Sequence, residues 1–336
     1  MTKKVSLKDI ANKVGVSTAL VSYVLNGQEK EKRVGVEIAR KILKVAKELN
    51  YKPNQIARSL RKGSTKTIGL IVADIANPFF GYLARFIEDE ANKYGYTVIF
   101  GSSDESNSKS AALTDILINR QVDGFIIVPT EGSEDQIKNL IQRNIPFILI
   151  DRFFPELSTS YITLDNYSAS NEATRYLLKK GYKRIGIIAY KSKLIHMQER
   201  IAGYVDAIAS QKNNYGPFIK EIRFDNVEQD IENAINDLVI KNKKIDALFF
   251  ATNSLSIAGL YCICKYGIKV PDELALVGFD GNESFDFFYS PLTYVEQPIS
   301  EMGKESVRVL VDLIDGKDKI IHIELKHKLI IRKSCG

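Results

Sequence analysis

Apolar residues recur along this chain with two different periods, and the change falls near residue 65. In Ser6–Val14, Leu7, Ile10, Ala11 and Val14 stand at i, i+3, i+4 and i+7, one face of a helix that Ser6 is placed to cap. Gly15 permits a tight turn. Ser17 is placed to cap a second helix with Leu20, Val21, Val24 and Leu25 inward, and Asn26-Gly27 supplies its stop. Ile38, Ile42, Val45, Ala46 and Leu49 form the inner stripe of a third. Two short helices across a Gly turn, with a third behind, make a helix-turn-helix unit. The second helix leaves Thr18, Ala19, Ser22 and Tyr23 outside its apolar stripe.

From Thr67 onward short apolar runs alternate with helical stretches. Ile68–Val72, Thr97–Phe100, Gly124–Val128 and Pro146–Ile150 read as buried parallel strands, with helices near Phe80–Lys93, Lys109–Asn119 and Asp135–Arg143. A second series, Arg184–Ile188, Phe218–Ile222, Ala247–Phe250 and Leu274–Val277, repeats the alternation. Lys66-Thr-Ile-Gly-Leu-Ile71 and Lys183-Arg-Ile-Gly-Ile-Ile188 echo each other. The pattern predicts two similar α/β units with a cleft between them, where loops from the C-terminal strand ends collect. Between the two regions, Pro53 ends the third helix by Tyr51, and Asn54 caps about two turns before Gly63. So short a helix is marginal alone in water.

Charge divides at the same place. Residues 1–63 hold 15 Lys/Arg and 5 Asp/Glu, a balance of +10; the rest holds 32 and 36, a balance of −4. A cationic unit of this size is the electrostatic footprint of a polyanion-binding module. Set in a major groove, the first turn of the second helix would meet base edges while neighbouring Lys and Arg meet phosphates. No apolar run reaches membrane-span length and no signal-peptide core opens the chain, so a cytoplasmic protein is expected, with its three cysteines as reduced thiols.

Leu7-Lys-Asp-Ile-Ala-Asn-Lys-Val-Gly-Val-Ser17, Val21-Ser-Tyr-Val-Leu-Asn-Gly27, Leu49-Asn-Tyr-Lys-Pro-Asn54 and Ala57-Arg-Ser-Leu60 resemble the LacI/GalR family of repressors, and the likeness runs through nearly the whole chain. The resemblance implies a headpiece (1–52), a hinge helix and linker (53–65) and a periplasmic-binding-protein-like core of two interleaved α/β subdomains (66–336). It places Thr18, Ala19 and Tyr23 at base-reading positions, with Ser22 on the same face. It places Leu60 at the minor-groove wedge, with Asn54 and Ala57 beside it. Tyr23 stands where many members carry Arg, Leu20 where Thr is common, and Gly35 where a Ser cap is usual. By the same resemblance Phe79, Phe80, Asp151, Arg152, His196, Arg200, Asn253 and Asp280 line an effector pocket. Aromatic faces, carboxylates, an amide and guanidinium groups suit a sugar or sugar phosphate; a purine stacked on Phe79 and Phe80 and paired with Arg200 and Asp280 is the alternative.

Read alone, Phe79 and Phe80 fit the buried start of a helix, and Arg200 fits a surface ion pair. Catalysis has little support: there is no Gly-Lys-Ser/Thr phosphate loop, no Gly-x-Gly-x-x-Gly, no Gly-x-Ser-x-Gly, and the three histidines are not at metal spacing. No cofactor and no metal are implied. The expectation is a non-enzymatic, effector-gated repressor on a near-palindromic double-stranded operator. It would be a homodimer, because no leucine heptad follows the core. A solute-binding protein for transport shares the core pattern, but calls for an export signal and no basic headpiece.

Overall fold

In the N-terminal region the local signals become three helices, α1 (Leu7–Val14), α2 (Thr18–Leu25) and α3 (Val36–Glu48). Ser6 and Asp9 form a reciprocal capping box: the Ser6 hydroxyl accepts from the Asp9 amide, and the Asp9 carboxylate accepts from the Ser6 amide at 2.8 Å. Gly15 closes α1 at φ 80, a left-handed conformation that glycine takes without steric cost. Ser17 Oγ caps α2 by accepting from the Leu20 amide. Ile10, Val14, Val21, Val24, Ile42 and Val45 meet in one small core. Ile38, in phase with the α3 stripe, is 42% exposed, and Ala39 is buried instead.

This computed structural model describes residues 5–51, 63–211, 215–241, 244–281 and 283–336. Asn54, Ala57 and Leu60 lie outside the described residues. The chain divides into two compact units, Met1–Thr65 and Lys66–Gly336.

The second unit contains two six-stranded sheets. Its elements run β1 (Thr67–Val72), α4 (Pro78–Lys93), β2 (Thr97–Ser102), α5 (Asn107–Asn119), β3 (Gly124–Ile127), α6 (Glu134–Gln142), β4 (Phe147–Ile150) and β5 (Tyr161–Leu164). Next come α7 (Asn166–Lys179), β6 (Ile185–Tyr190), α8 (Ile195–Ala209), β7 (Phe218–Ile222), α9 (Val227–Ile235), β8 (Ala247–Phe250), α10 (Asn253–Lys265) and β9 (Ala275–Phe279). The last are α11 (Ser284–Phe287), β10 (Thr293–Glu296), α12 (Ile299–Ile314), β11 (His322–Leu325) and β12 (Lys328–Ile330).

The first sheet has the order β11-β5-β4-β3-β1-β2 and the second β12-β10-β9-β8-β6-β7. All neighbours are parallel except β10 and β12. The two echoing segments supply β1 and β6, which hold matching places in their sheets. The chain leaves the first sheet after β5, returns after β10 to place α12 and β11 there, and crosses back for β12. Three connections therefore join the two lobes.

Strands β1, β3, β4, β8 and β9 are buried on both faces, as their continuous apolar runs require. The runs at Thr97 and Phe218 are not. Both form sheet edges, β2 and β7, and Phe100 is 57% exposed. An apolar run cannot distinguish an edge from a centre, because that depends on sheet order. Two short strands, β5 and β11, escape the sequence reading; they pair with each other across more than 150 positions.

Candidate functional site

Two surfaces carry the candidate chemistry, one on each unit. On the headpiece, Thr18 and Ala19 open α2 and are exposed, while Ser22 and Tyr23 are half-buried one turn on. Ser22 is engaged: its hydroxyl accepts from Asn26 Nδ2 at 3.2 Å and its carbonyl from the same nitrogen at 2.7 Å. The Lys32 ammonium lies 5.9 Å from the Tyr23 ring centroid, so the segment after α2 braces that ring. Thr18 and Ala19 thus offer short, exposed side chains at a helix N-terminus, the end that enters a groove in helix-turn-helix docking.

The second surface is a cleft of about 60 Å³ between the lobes of the core. Every segment that lines it follows the C-terminal end of a strand or opens the helix beyond, the position at which parallel sheets bind ligands. After β1, Asp74 forms an Asx turn onto the Ala76 amide, and Asn77 caps α4 by accepting from the Phe79 amide. Pro78 at the first helical position then presents Phe79 and Phe80. Their rings meet edge to face with centroids 5.0 Å apart. Both are buried, belong to the core of the first lobe and also line the cleft, so the bland and the functional readings hold together.

Asp151 follows β4 and Asp280 follows β9, matching strands of the two sheets. Both have left-handed backbones, at φ 67 and 63. Such conformations in non-glycine residues cost energy and cluster at functional sites. Arg152 sends both terminal nitrogens to Glu105, one to each carboxylate oxygen at 2.7 Å, and its guanidinium lies 5.9 Å from the Phe80 centroid. Arg200, on α8, donates from Nε to Asn166 Oδ1 at 2.8 Å and from Nη1 to the Ala251 carbonyl at 2.7 Å. It lies 3.7 Å from the Phe279 centroid. It is a fixed, buried cation, not a surface ion-pair partner.

Burial governs titration here. It raises the Asp280 carboxyl to about 6, with Arg200 and the Gln297 hydrogen bond working against it. Burial also raises Asp151, against the pull of Arg152 and Arg200. His196 is held well below the usual imidazole value, by burial first and then by Arg152 and Arg200. It is therefore neutral at physiological pH, and among the described residues its buried Nδ1 has no hydrogen-bond partner.

The structure brings Phe79, Phe80, Asp151, Arg152, His196, Arg200 and Asp280 to one cleft. Asn253 is buried at the start of α10, and its Nδ2 donates to the Asp280 carbonyl, so it bears on the cleft through the Asp280 backbone. Its neighbours Thr252 and Ser254 line the wall. Sequence reasoning missed Glu105, Tyr190, Phe224 and Gln297. Tyr190 and Gln297 sit just at or beyond strand ends, a place the strand pattern marks out. Glu105 has no comparable signal, because it follows an edge strand whose loop reaches the cleft only through sheet order. Among the described residues no group of His, Cys, Asp or Glu is arranged to hold a metal, and no helix is long and apolar enough to cross a membrane.

Comparison with known proteins agrees with this two-part construction. Residues 6–54 match the model for bacterial regulatory proteins of the lacI family, and residues 174–335 match a periplasmic binding protein-like domain. The chain is 33% identical to the HTH-type transcriptional regulator RegA of Clostridium acetobutylicum, over 98% of this chain and 99% of that one. It is 31% identical to the HTH-type transcriptional repressor CytR of Escherichia coli K12, over 93% and 90%. The core superposes on a LacI family transcriptional regulator from Enterococcus faecium with bound ribose, at a TM-score of 0.70 and 26% identity, over 80% of this chain and 98% of that one. With a capped helix-turn-helix headpiece and a cleft between two parallel sheets, this chain belongs to the lacI family of bacterial regulatory proteins.

Proposed function

We propose that this protein is a cytoplasmic transcriptional repressor that binds a near-palindromic operator as a homodimer and releases or grips it according to a small effector in the cleft. The observation that carries the reading is the N-terminus of α2, where exposed Thr18 and Ala19 stand on a unit with a charge balance of +10 over residues 1–63. Thr18 and Ala19 contact base edges, Tyr23 adds a ring edge, and Ser22 contributes less because Asn26 already holds it. Asn54, Ala57 and Leu60 form the hinge contact in the minor groove. Exposed Phe287 and Tyr289, with Tyr261 on α10, leave apolar surface on the second lobe that a partner copy would cover.

In the cleft, Phe79 and Phe80 supply the apolar wall, while Asp151, Arg152, His196, Arg200 and Asp280 meet the polar edge of the ligand. Asn253 holds the Asp280 backbone in place. A carbohydrate fits this combination, and the ribose held by the Enterococcus faecium relative favours it. Effector binding would shift the core between forms only through different affinity for each. Selection from a random operator pool by gel shift tests the reading. The expected result is enrichment of a near-palindrome that survives physiological salt; no preference over bulk DNA would sink it.

A further inference from the structure

We infer that the cleft is built for an uncharged, hydroxyl-rich ligand and discriminates against the phosphorylated form of the same ligand, with Glu105 as the discriminating residue. This rests on the carbohydrate-effector reading above and narrows it.

A free guanidinium fork is the strongest side-chain grip on a phosphate in a buried site. Arg152 does not offer one, and Arg200 offers only part of one. Both terminal nitrogens of Arg152 are spent on Glu105 in a bidentate pair whose side chains are only 7% and 17% exposed. The Arg152 Nε faces the Asp151 carboxylate at 3.4 Å. Arg200 has its Nε on Asn166, its Nη1 on a main-chain carbonyl and one face against Phe279, so Nη2 is the edge it turns to a ligand. Glu105 is itself held by the backbone: its amide donates to the Ala73 carbonyl at 2.9 Å, and its φ is 54.

The charge balance points the same way. Four carboxylates line the wall, Asp74, Glu105, Asp151 and Asp280, against the two guanidinium groups. A phosphate would bring about 1.5–2 further negative charges. To reach Arg152 it would have to displace Glu105 and leave a buried carboxylate unpaired, the costly way to break such a pair. Sugar hydroxyls meet no such penalty, because carboxylates accept their hydrogen bonds and the rings of Phe79 and Phe80 face the carbon skeleton.

The test is calorimetric titration of the full chain at neutral pH with matched pairs: ribose and ribose 5-phosphate, glucose and glucose 6-phosphate, adenosine and AMP, cytidine and CMP. In whichever pair binds, the neutral member should bind at least ~10-fold more tightly. Glu105→Gln removes one negative charge while keeping an acceptor for Arg152, and should narrow that ratio to below about 3-fold. A phosphorylated member that binds the wild type as well or better overturns the inference and leaves the carbohydrate reading standing. An unchanged ratio in a folded Glu105→Gln also overturns the role of Glu105. Should that variant not fold, the wild-type ratio alone decides. No heat with any member overturns both readings.

Discussion

Replacing Asp280 by Asn isolates the cost of keeping a carboxylate in the cleft. Asp280 is 5% exposed, accepts from Gln297 Nε2 at 2.7 Å, and is pinned through its backbone: its amide donates to the Val295 carbonyl and its carbonyl accepts from Asn253. Asn keeps the shape, can accept the same hydrogen bond, and tolerates the left-handed backbone. What changes is ionisation. Burial places the carboxyl at about 6 in the folded protein, against 3.8 for the unperturbed group. Raised on folding, it contributes stability that is fully present below pH 3.8 and lost as pH rises through about 6. At about 1.4 kcal/mol per pH unit, the gap is worth about 3 kcal/mol. Urea unfolding followed by far-ultraviolet circular dichroism, on wild type and Asp280→Asn from pH 3.8 to mildly alkaline pH, reads the effect directly. The two proteins should be nearly equal at the acid end, and the wild type should fall behind by up to about 3 kcal/mol by neutrality. Stability curves that run parallel across this range would refute the reasoning, because every other titrating group is shared.

Further outcomes are expected elsewhere. Ser17→Ala removes the cap of α2 and should cost the headpiece about 1 kcal/mol; its melting temperature should fall, and Ser17→Asp should restore it. Gly203→Ala should destabilise the core by about 1–3 kcal/mol in urea despite the better helix propensity of alanine, because the new Cβ would lie 2.2 Å from the Tyr167 carbonyl where α7 crosses α8. A stabilised variant would show that the two helices are not in close contact. Leu60→Ala should weaken operator-specific binding while leaving non-specific, salt-sensitive binding largely intact in a filter-binding titration. Equal loss of both would make the segment a tether.

The parts of this protein that local periodicity determines were legible from the chain. A helix stripe, a capping serine and a turn glycine act within about ten residues, so α1, α2 and the exposed Thr18–Ala19 face follow from residues 6–27. The buried runs that became β1, β3, β4, β8 and β9 announced themselves too, since a strand covered on both faces must be apolar throughout. Strand order is another matter. It decided that β2 and β7 lie at edges, that His322–Leu325 returns to pair with Tyr161–Leu164, and that α12 rejoins the first lobe. The candidate site divides in the same way. Phe79, Asp151 and Asp280 stand beside strand ends that the pattern reveals, whereas the bond from Asn253 to the Asp280 carbonyl and the grip of Glu105 on Arg152 depend on contacts 27 and 47 positions apart. The amino-acid pattern alone determined which segments fold and which of their faces are apolar, because those preferences are local. Which charges meet in the cleft, and so which ligands it can admit, was decided only when two sheets and three crossings set distant residues within hydrogen-bonding distance.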